Sequence, residues 1–242
     1  MLSKNQLKLI TSLQQKKYRL SYQLFFAEGV KVIQELLDSN FELDHLYTTQ
    51  MDSPRVLTQK KSLISENELK KISVLASPNS CLAIFKIPNE IDIKQSGLIL
   101  ALDSIRDPGN LGTILRICDW FGIEQIICSK DAVDLYNPKV VQATMGSISR
   151  VNVNYIDLED FIVKTKLPIY GTFMDGDNIY KTKLPKEGII IMGNEANGIS
   201  PELEKLCKNK LMIPRFGSLQ KTESLNVATA TAIVLSEFKR FS

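Results

Sequence analysis

The sequence is short of histidine, tryptophan and cysteine: one His, one Trp and four Cys in 242 residues. A lone histidine excludes most zinc sites. His45 also falls inside FELDHLYTT, a stretch patterned as a strand, where it reads as a structural residue and not as the base of a triad. Cys81, Cys118, Cys128 and Cys207 show neither CxxC nor a pairing spacing. Cys118 and Cys128 sit in apolar segments and read as buried, reduced thiols. No apolar run approaches the roughly 18 residues needed to cross a bilayer, and the start, MLSKNQLKLITSLQQKK, lacks the apolar core of a secretory signal. These absences lead us to expect a cytoplasmic protein with neither a membrane nor a metal partner. Two glycine motifs are missing as well. GNLG lacks the third glycine of the dinucleotide fingerprint, and GNEANG is not followed by the Gly-Lys-Ser/Thr of a Walker loop. A nucleotide-dependent oxidoreductase on an open α/β sheet is therefore disfavoured.

The chain does have a balanced globular composition, 44% hydrophobic and 24% charged, at a length that suits one or two domains. Its net charge of +3 is unevenly spread. Residues 1–31 hold Lys4, Lys8, Lys16, Lys17, Arg19 and Lys31 against Glu28 alone. Such a segment attracts polyanions, RNA foremost. It equally suits a solvated amphipathic helix whose core stripe is Leu7, Ile10 and Leu13.

Residues 1–90 read as a small α/β unit. After the basic helix comes FFAEGVKVIQELLDSN, read as a helix because Val30, Ile33, Leu36 and Leu37 recur at helical spacing. Strands LDHLYTT and CLAIFKI flank a helix near SENELKKIS, where Ser65 and Glu68 have capping-box spacing. KIPNEIDIKQSG reads as a linker. Residues 97–242 then alternate apolar strands with helices. The strands are GLILALD, EQIICS, PIYGTFM, GIIIMG and KLMIP. The helices are LGTILRICDWF, PKVVQATMG, DLEDFIVKT, SPELEKLCK and NVATATAIVLSEFKRF. Near-continuous apolar runs suit central parallel strands covered on both faces. Ser200 and Pro201 fit a helix start; Asn226 fits a cap, and Lys239 and Arg240 suit a helix end. The fold class is α/β, with the parallel sheet in the C-terminal part.

Ligands of open α/β sheets bind beyond the carboxyl ends of strands, which directs attention to the loops after LALD, GTFM, IIMG and LMIP, three of which carry a pattern. After LALD, Pro108-Gly109 fits a type II turn, with Asn110 capping the next helix. That helix buries Leu111, Ile114, Leu115, Cys118 and Phe121, so Arg116 points outward beside Trp120. After IIMG, NEANGISPE carries Glu195 between two glycines, as a surface charge or as a polar anchor. After LMIP, RFGSLQKTESLN mixes Arg215, Phe216 and Lys221 with Ser218, Thr222 and Ser224. It suits nucleotide contact or a solvated loop, and its length favours function.

Together the three loops resemble a known family. DPGNLGTILRICDWFG, IIIMGNEANGIS and MIPRFGSLQKTESLNVATATAI, in that order, are similar to the motifs of SpoU/TrmH-type RNA ribose 2′-O-methyltransferases of the SPOUT superfamily. FFAEGVKVIQELL and CLAIFKIP resemble the small RNA-binding domain that often precedes that catalytic domain. The resemblance implies a trefoil-knotted domain over residues 97–242, an RNA substrate-binding domain over 1–90, a homodimer and S-adenosylmethionine as methyl donor. It implicates Thr172, Met192, Gly193, Asn194, Gly198, Ile213 and Leu225 in holding the cofactor. It implicates Asn110, Arg116, Glu195, Ser224 and Asn226 in the reaction. The expected substrate is ribosomal RNA, with transfer RNA as the alternative. A non-catalytic RNA-binding protein on the same scaffold is the competing reading. One departure stands out: the segment between MIP and SLNV is longer than in compact family members, and Arg215 stands where a hydrophobic residue is common.

Overall fold

The computed structural model describes residues 1–50, 54, 56, 58–217, 219 and 224–240. The chain forms two compact units, Met1–Glu90 with Asp134–Ser149, and Ile91–Val133 with Arg150–Ser242.

In the first unit the chain runs through α1 (Lys4–Ser12), α2 (Lys16–Tyr22), β1 (Leu24–Glu28), α3 (Val30–Leu37), β2 (Leu43–Thr48), β3 (Lys61–Leu63), α4 (Glu66–Ile72) and β4 (Cys81–Lys86). The sheet order is β1-β4-β2-β3. β4 is antiparallel to both its neighbours, and β2 and β3 are parallel. FFAE is therefore a strand and not the start of the helix. Phe25, Phe26 and Ala27 are buried on β1, and Gly29, at φ +84, turns the chain into α3. The basic helix is two helices, broken after Leu13. Ser65 and Glu68 do form the capping box. His45 lies 2.9 Å from Ser62 Oγ, and burial lowers its pKa, which suits a neutral structural histidine.

The second unit begins with β5 (Leu98–Leu102), α5 (Pro108–Trp120) and β6 (Gln125–Ser129). The chain then joins the first unit as α6 (Pro138–Thr144), which packs on β1. An ion pair between the buried Arg19 and the partly buried Asp134 ties that excursion to α2. Arg19 donates to Asp134 Oδ2 from Nη2 at 2.5 Å and from Nε at 3.0 Å, while Nη1 bonds the Leu13 carbonyl at 2.8 Å. The second unit resumes with β7 (Asn152–Ile156), α7 (Leu158–Lys164), β8 (Ile169–Asn178), β9 (Gly188–Met192), α8 (Pro201–Leu206), β10 (Asn209–Met212) and α9 (Val227–Lys239). All six strands are parallel, in the order β10-β8-β9-β5-β6-β7. β5 and β9 lie at the centre and are buried along their whole lengths, as continuous apolar runs require. β7 escapes sequence reading because it is an edge strand carrying polar residues. Asn152 and Asn154 use their side-chain amides to bond the Ile91 carbonyl, at 3.3 and 2.9 Å.

The four cysteines are free and buried. Burial pushes the Cys81 and Cys207 thiols up to about 11 and raises Cys118 and Cys128 further, so thiolate chemistry at neutral pH is suppressed. Among the described residues no helix is long and apolar enough to cross a membrane, and no cluster of three metal-ligating side chains occurs.

Candidate active site

The carboxyl ends of β5 and β9 lie side by side, and the loops that leave them are tied together. Asp103, buried just past β5, donates its backbone N–H to the Met192 carbonyl at 2.9 Å. Its carboxylate accepts from the Ser200 amide at 2.7 Å. Asn194 Nδ2 donates to the Ser104 carbonyl at 2.7 Å. The loop after β9 is itself closed by a pair of backbone bonds between Asn194 and Gly198, at 2.9 and 2.8 Å. Asn194 Oδ1 accepts from the amides of Ala196 and Asn197. Asp103 was not among the residues expected to matter. An acid ending a fully apolar central strand was the available signal, since such a group stays buried only when hydrogen-bonded.

Gly193 and Gly198 serve this loop in different ways. A Cβ on Gly193 would fall 2.2 Å from the Gly198 carbonyl carbon and 2.3 Å from the Ile199 amide nitrogen. Glycine at 193 is thus demanded by the protein's own backbone, before any ligand is considered. Gly198 has open space around it and is held at φ +69, where glycine avoids the cost of a side chain.

The first loop departs from its expected form. Pro108-Gly109 is not a type II turn but the first turn of α5, and Gly109 is not at positive φ. Asp107 is the cap: its Oδ1 accepts from the Asn110 amide at 2.8 Å, and Pro108 takes the first helical position. Asn110 is therefore released from capping, and its side chain turns to other partners. Its Nδ2 donates to Glu195 Oε1, and its Oδ1 accepts from Asn226 Nδ2 at 2.9 Å. Asn226 does cap its helix, accepting from the Ala228 and Thr229 amides at 3.0 and 3.3 Å.

This chain has a direction. A carboxylate can only accept, so Asn110 must present its amide nitrogen to Glu195, which leaves its oxygen for Asn226. Asn226 then has its own oxygen free for the start of α9, where the helix dipole favours negative charge. Both amide orientations follow from the partners at the two ends.

Thr172, Met192, Gly193, Asn194, Gly198, Ile213 and Leu225 all line one cavity of about 980 Å³, together with Glu195 and Ser224. Ile213 follows the end of β10 and Leu225 precedes the cap of α9, so neither is committed to a strand ladder or a helix. Thr172 already uses its hydroxyl proton on the Ile191 carbonyl, at 3.1 Å. Asn110 and Asn226 are outside the cavity lining but reach it through Glu195. Arg116 does not join them. It is exposed, with no hydrogen bond or ion pair among the described residues, on the helix face that leaves Trp120 86% exposed. The rotation of α5 is set by Leu111, Ile114, Leu115 and Cys118, all buried. Each of the aliphatic ones contributes roughly 1.5–3 kcal/mol, and turning Arg116 inward would add the cost of an unpaired buried charge. Ser218, Lys221 and Thr222 lie outside the described residues.

Residues 97–236 match the SpoU rRNA Methylase family. The chain belongs to that family. Residues 4–83 match the MRM3-like substrate binding domain. The 23S rRNA (guanosine(2553)-2′-O)-methyltransferase RlmP of Bacillus subtilis is 27% identical over 229 residues, covering 91% of this chain and 90% of that protein. A TrmH-family protein from Porphyromonas gingivalis is 38% identical, covers the whole of both chains and superposes with a TM-score of 0.91. An AdoMet-bound rRNA methyltransferase from Sinorhizobium meliloti is 29% identical over 99% of this chain and 96% of its own, with a TM-score of 0.86. The resemblance carried by the three motifs thus holds for the SpoU domain, and that carried by FFAEGVKVIQELL and the start of CLAIFKIP holds for the segment before it.

Proposed function

We propose that this SpoU-family protein transfers a methyl group from S-adenosylmethionine to a ribose 2′-hydroxyl of ribosomal RNA. The observation that carries the reading is the convergence of three separated motifs. Glu195, Asn110 and Asn226 form one hydrogen-bond chain, and Glu195 lines the same cavity as all seven candidate cofactor residues. Curated relatives named as 23S rRNA 2′-O-methyltransferases support ribosomal over transfer RNA.

The cavity fits the cofactor's chemistry. Its apolar side chains, among them Met192, Ile213, Leu225 and Val234, suit an adenine ring and a thioether chain, and the uncommitted backbone at Ile213 and Leu225 can meet polar edges. When bound, S-adenosylmethionine supplies a sulfonium methyl for in-line displacement. Such a displacement depends on orientation, which can account for much of the rate. Gly193 keeps the loop after β9 closed, Asn110 and Glu195 hold that loop against α5, and Ser224 and Asn226 order the approach to α9. A guanidinium stays protonated at neutral pH. Arg116 therefore holds the phosphate beside the target ribose and orients the 2′-oxygen, while the hydroxyl proton passes to phosphate or to water.

An outward Arg116 beside an exposed Trp120 supports a homodimer in which each site is completed across the two copies. Membership of residues 97–236 in the SpoU family supports a trefoil knot in that domain. Residues 1–90 serve as the RNA substrate-binding domain, residues 97–242 carry the reaction, and the compartment is the cytoplasm. Incubation of unmodified ribosomal and transfer RNA with labelled S-adenosylmethionine, followed by nucleoside digestion, tests the reading. A 2′-O-methylnucleoside from ribosomal RNA is the expected product. Cofactor-independent RNA binding with no transfer to naked RNA or to ribosomal subunits would replace it with the non-catalytic reading.

A further inference from the structure

The segment that leaves the cavity after β10 ends on an aromatic residue that the protein does not bury. Phe216 is 83% exposed, and its ring stacks on that of Tyr180, with centroids 6.4 Å apart and planes 29° apart. Tyr180 sits on the short 3-10 turn Ile179–Lys181 that follows β8. The chain neighbours of both aromatics line the cavity: Ile179 beside Tyr180, and Arg215 and Gly217 on either side of Phe216. The stacked pair therefore stands at the cavity's border. A phenylalanine left in water forgoes the stabilisation that a core would give it, and Tyr180 covers only one of its faces.

Cations neighbour the two rings in the chain. Lys181 and Lys183 follow Tyr180 and are exposed, and the exposed Arg215 precedes Phe216. Asp175 and Asp177 are also exposed, on the preceding strand, and oppose a polyanion there. Aromatic faces alternating with cations are how proteins hold single-stranded RNA: bases stack on the rings and phosphates meet the charges. A 2′-oxygen that reaches a methyl group inside the cavity brings its flanking nucleotides across this border.

We propose that Phe216, backed by Tyr180, is a stacking platform for an unpaired base of the RNA substrate, with Lys181, Lys183 and Arg215 meeting the adjoining phosphates. This inference deepens the methyltransferase reading and rests on it. Stacking tolerates any base, so the platform positions the strand and does not read its sequence.

A short single-stranded RNA carrying 2-aminopurine reports stacking directly through fluorescence quenching. The wild-type protein is expected to quench it and Phe216→Ala to lose the quenching. With ribosomal RNA as methyl acceptor, Phe216→Ala is expected to raise KM roughly five- to a hundredfold, the range for losing one stacked base. The kcat at saturating RNA, the S-adenosylmethionine affinity by calorimetry and the sedimentation coefficient are expected to stay unchanged. Phe216→Trp should restore both quenching and KM. Full quenching with an unchanged KM in Phe216→Ala overturns the platform. A parallel loss of cofactor affinity would make Phe216 a lid on the cofactor, and dissociation of a homo-oligomer would make it an interface residue; either result also overturns it. Absence of methyl transfer by the wild type would defeat the underlying reading, and the quenching experiment would still decide the platform.

Discussion

Replacing Gly193 by alanine would put a methyl carbon 2.2 Å from the Gly198 carbonyl carbon, 2.3 Å from the Ile199 nitrogen and 2.5 Å from the Gly198 oxygen. All three atoms are backbone, and ordinary contact begins more than an ångström farther out. The turn cannot simply open, because Asn194 and Gly198 bond each other in both directions at 2.9 and 2.8 Å. A cost of about 3 kcal/mol, at the upper end for overpacking, is expected. For a chain of this size that lowers Tm by roughly 6–12 °C. Gly198→Ala is the matched control. No atom lies within 4 Å of its added carbon, so only the left-handed φ of +69 is penalised, at about 1–2 kcal/mol. Thermal unfolding of the two variants, with calorimetric titration of S-adenosylmethionine, measures both effects. Gly193→Ala should be the less stable variant and should lose cofactor binding, because the displaced turn carries Asn194 and Glu195. A Gly193→Ala protein as stable as wild type, or more stable than Gly198→Ala, would refute the steric account.

Arg116→Ala should leave S-adenosylmethionine affinity intact and abolish methyl transfer, and Arg116→Lys should not restore it, because a lysine lacks the bidentate fork. Full activity in the alanine variant removes Arg116 from the reaction. If sites are shared across a dimer, co-expressed Arg116→Ala and Gly193→Ala chains should regain activity that neither has alone; no recovery in verified mixed dimers argues for a site within one chain. Asp134→Ala leaves the buried Arg19 with the Leu13 carbonyl alone and should cost about 3 kcal/mol in urea denaturation, whereas a loss below about 1 kcal/mol would class the pair with surface ion pairs. Glu68 accepts from the Ser65 and Leu2 amides, and its pKa falls from 4.5 to about 2. A carboxylate with a depressed folded pKa contributes stability that is complete above its unfolded pKa, here 4.5, and is lost as pH falls toward 2. Acid titrations of wild type and Glu68→Gln should therefore converge across that window, and parallel curves would refute the assignment.

The central strands were legible because burial on both faces leaves an apolar run that nothing else in the sequence imitates. β5 and β9 are the examples. β1 and β7 were not, for opposite reasons: FFAE ran into a helix of similar hydropathy, and NVNYI is an edge strand that spends its asparagines on the Ile91 carbonyl. The capping box at Ser65 and the cap at Asn226 could be read because their chemistry is local. Asp107 was missed because Pro108-Gly109 carries two meanings, a turn and a helix start, and only the following residues choose between them. The membership of Asp134–Ser149 in the first unit left no local sign either. It rests on α6 packing against β1 and on Arg19 and Asp134, an ion pair between residues 115 positions apart. The cofactor candidates came from motif order, and their meeting in one cavity is a property of the sheet: parallel strands bring all their carboxyl ends to one edge.

The hydrogen-bond chain gives the motif order a physical meaning. Asn110 and Glu195 are 85 positions apart and Asn110 and Asn226 are 116 apart, so no local preference brings them together. Each is nevertheless fixed by its neighbour: the carboxylate orients Asn110, Asn110 orients Asn226, and Asn226 meets the positive end of α9. The same helix that carries Asn110 inward carries Arg116 six residues later, which is about two-thirds of a turn around the axis and about 9 Å along it. Packing fixes the first and, by the rigidity of the helix, the second. A protein that only bound RNA would need the basic surface but not this coupling. On the proposed shared-site reading α5 supplies that coupling, holding Asn110 at its own chain's cavity while presenting Arg116 at a fixed angle to the partner's.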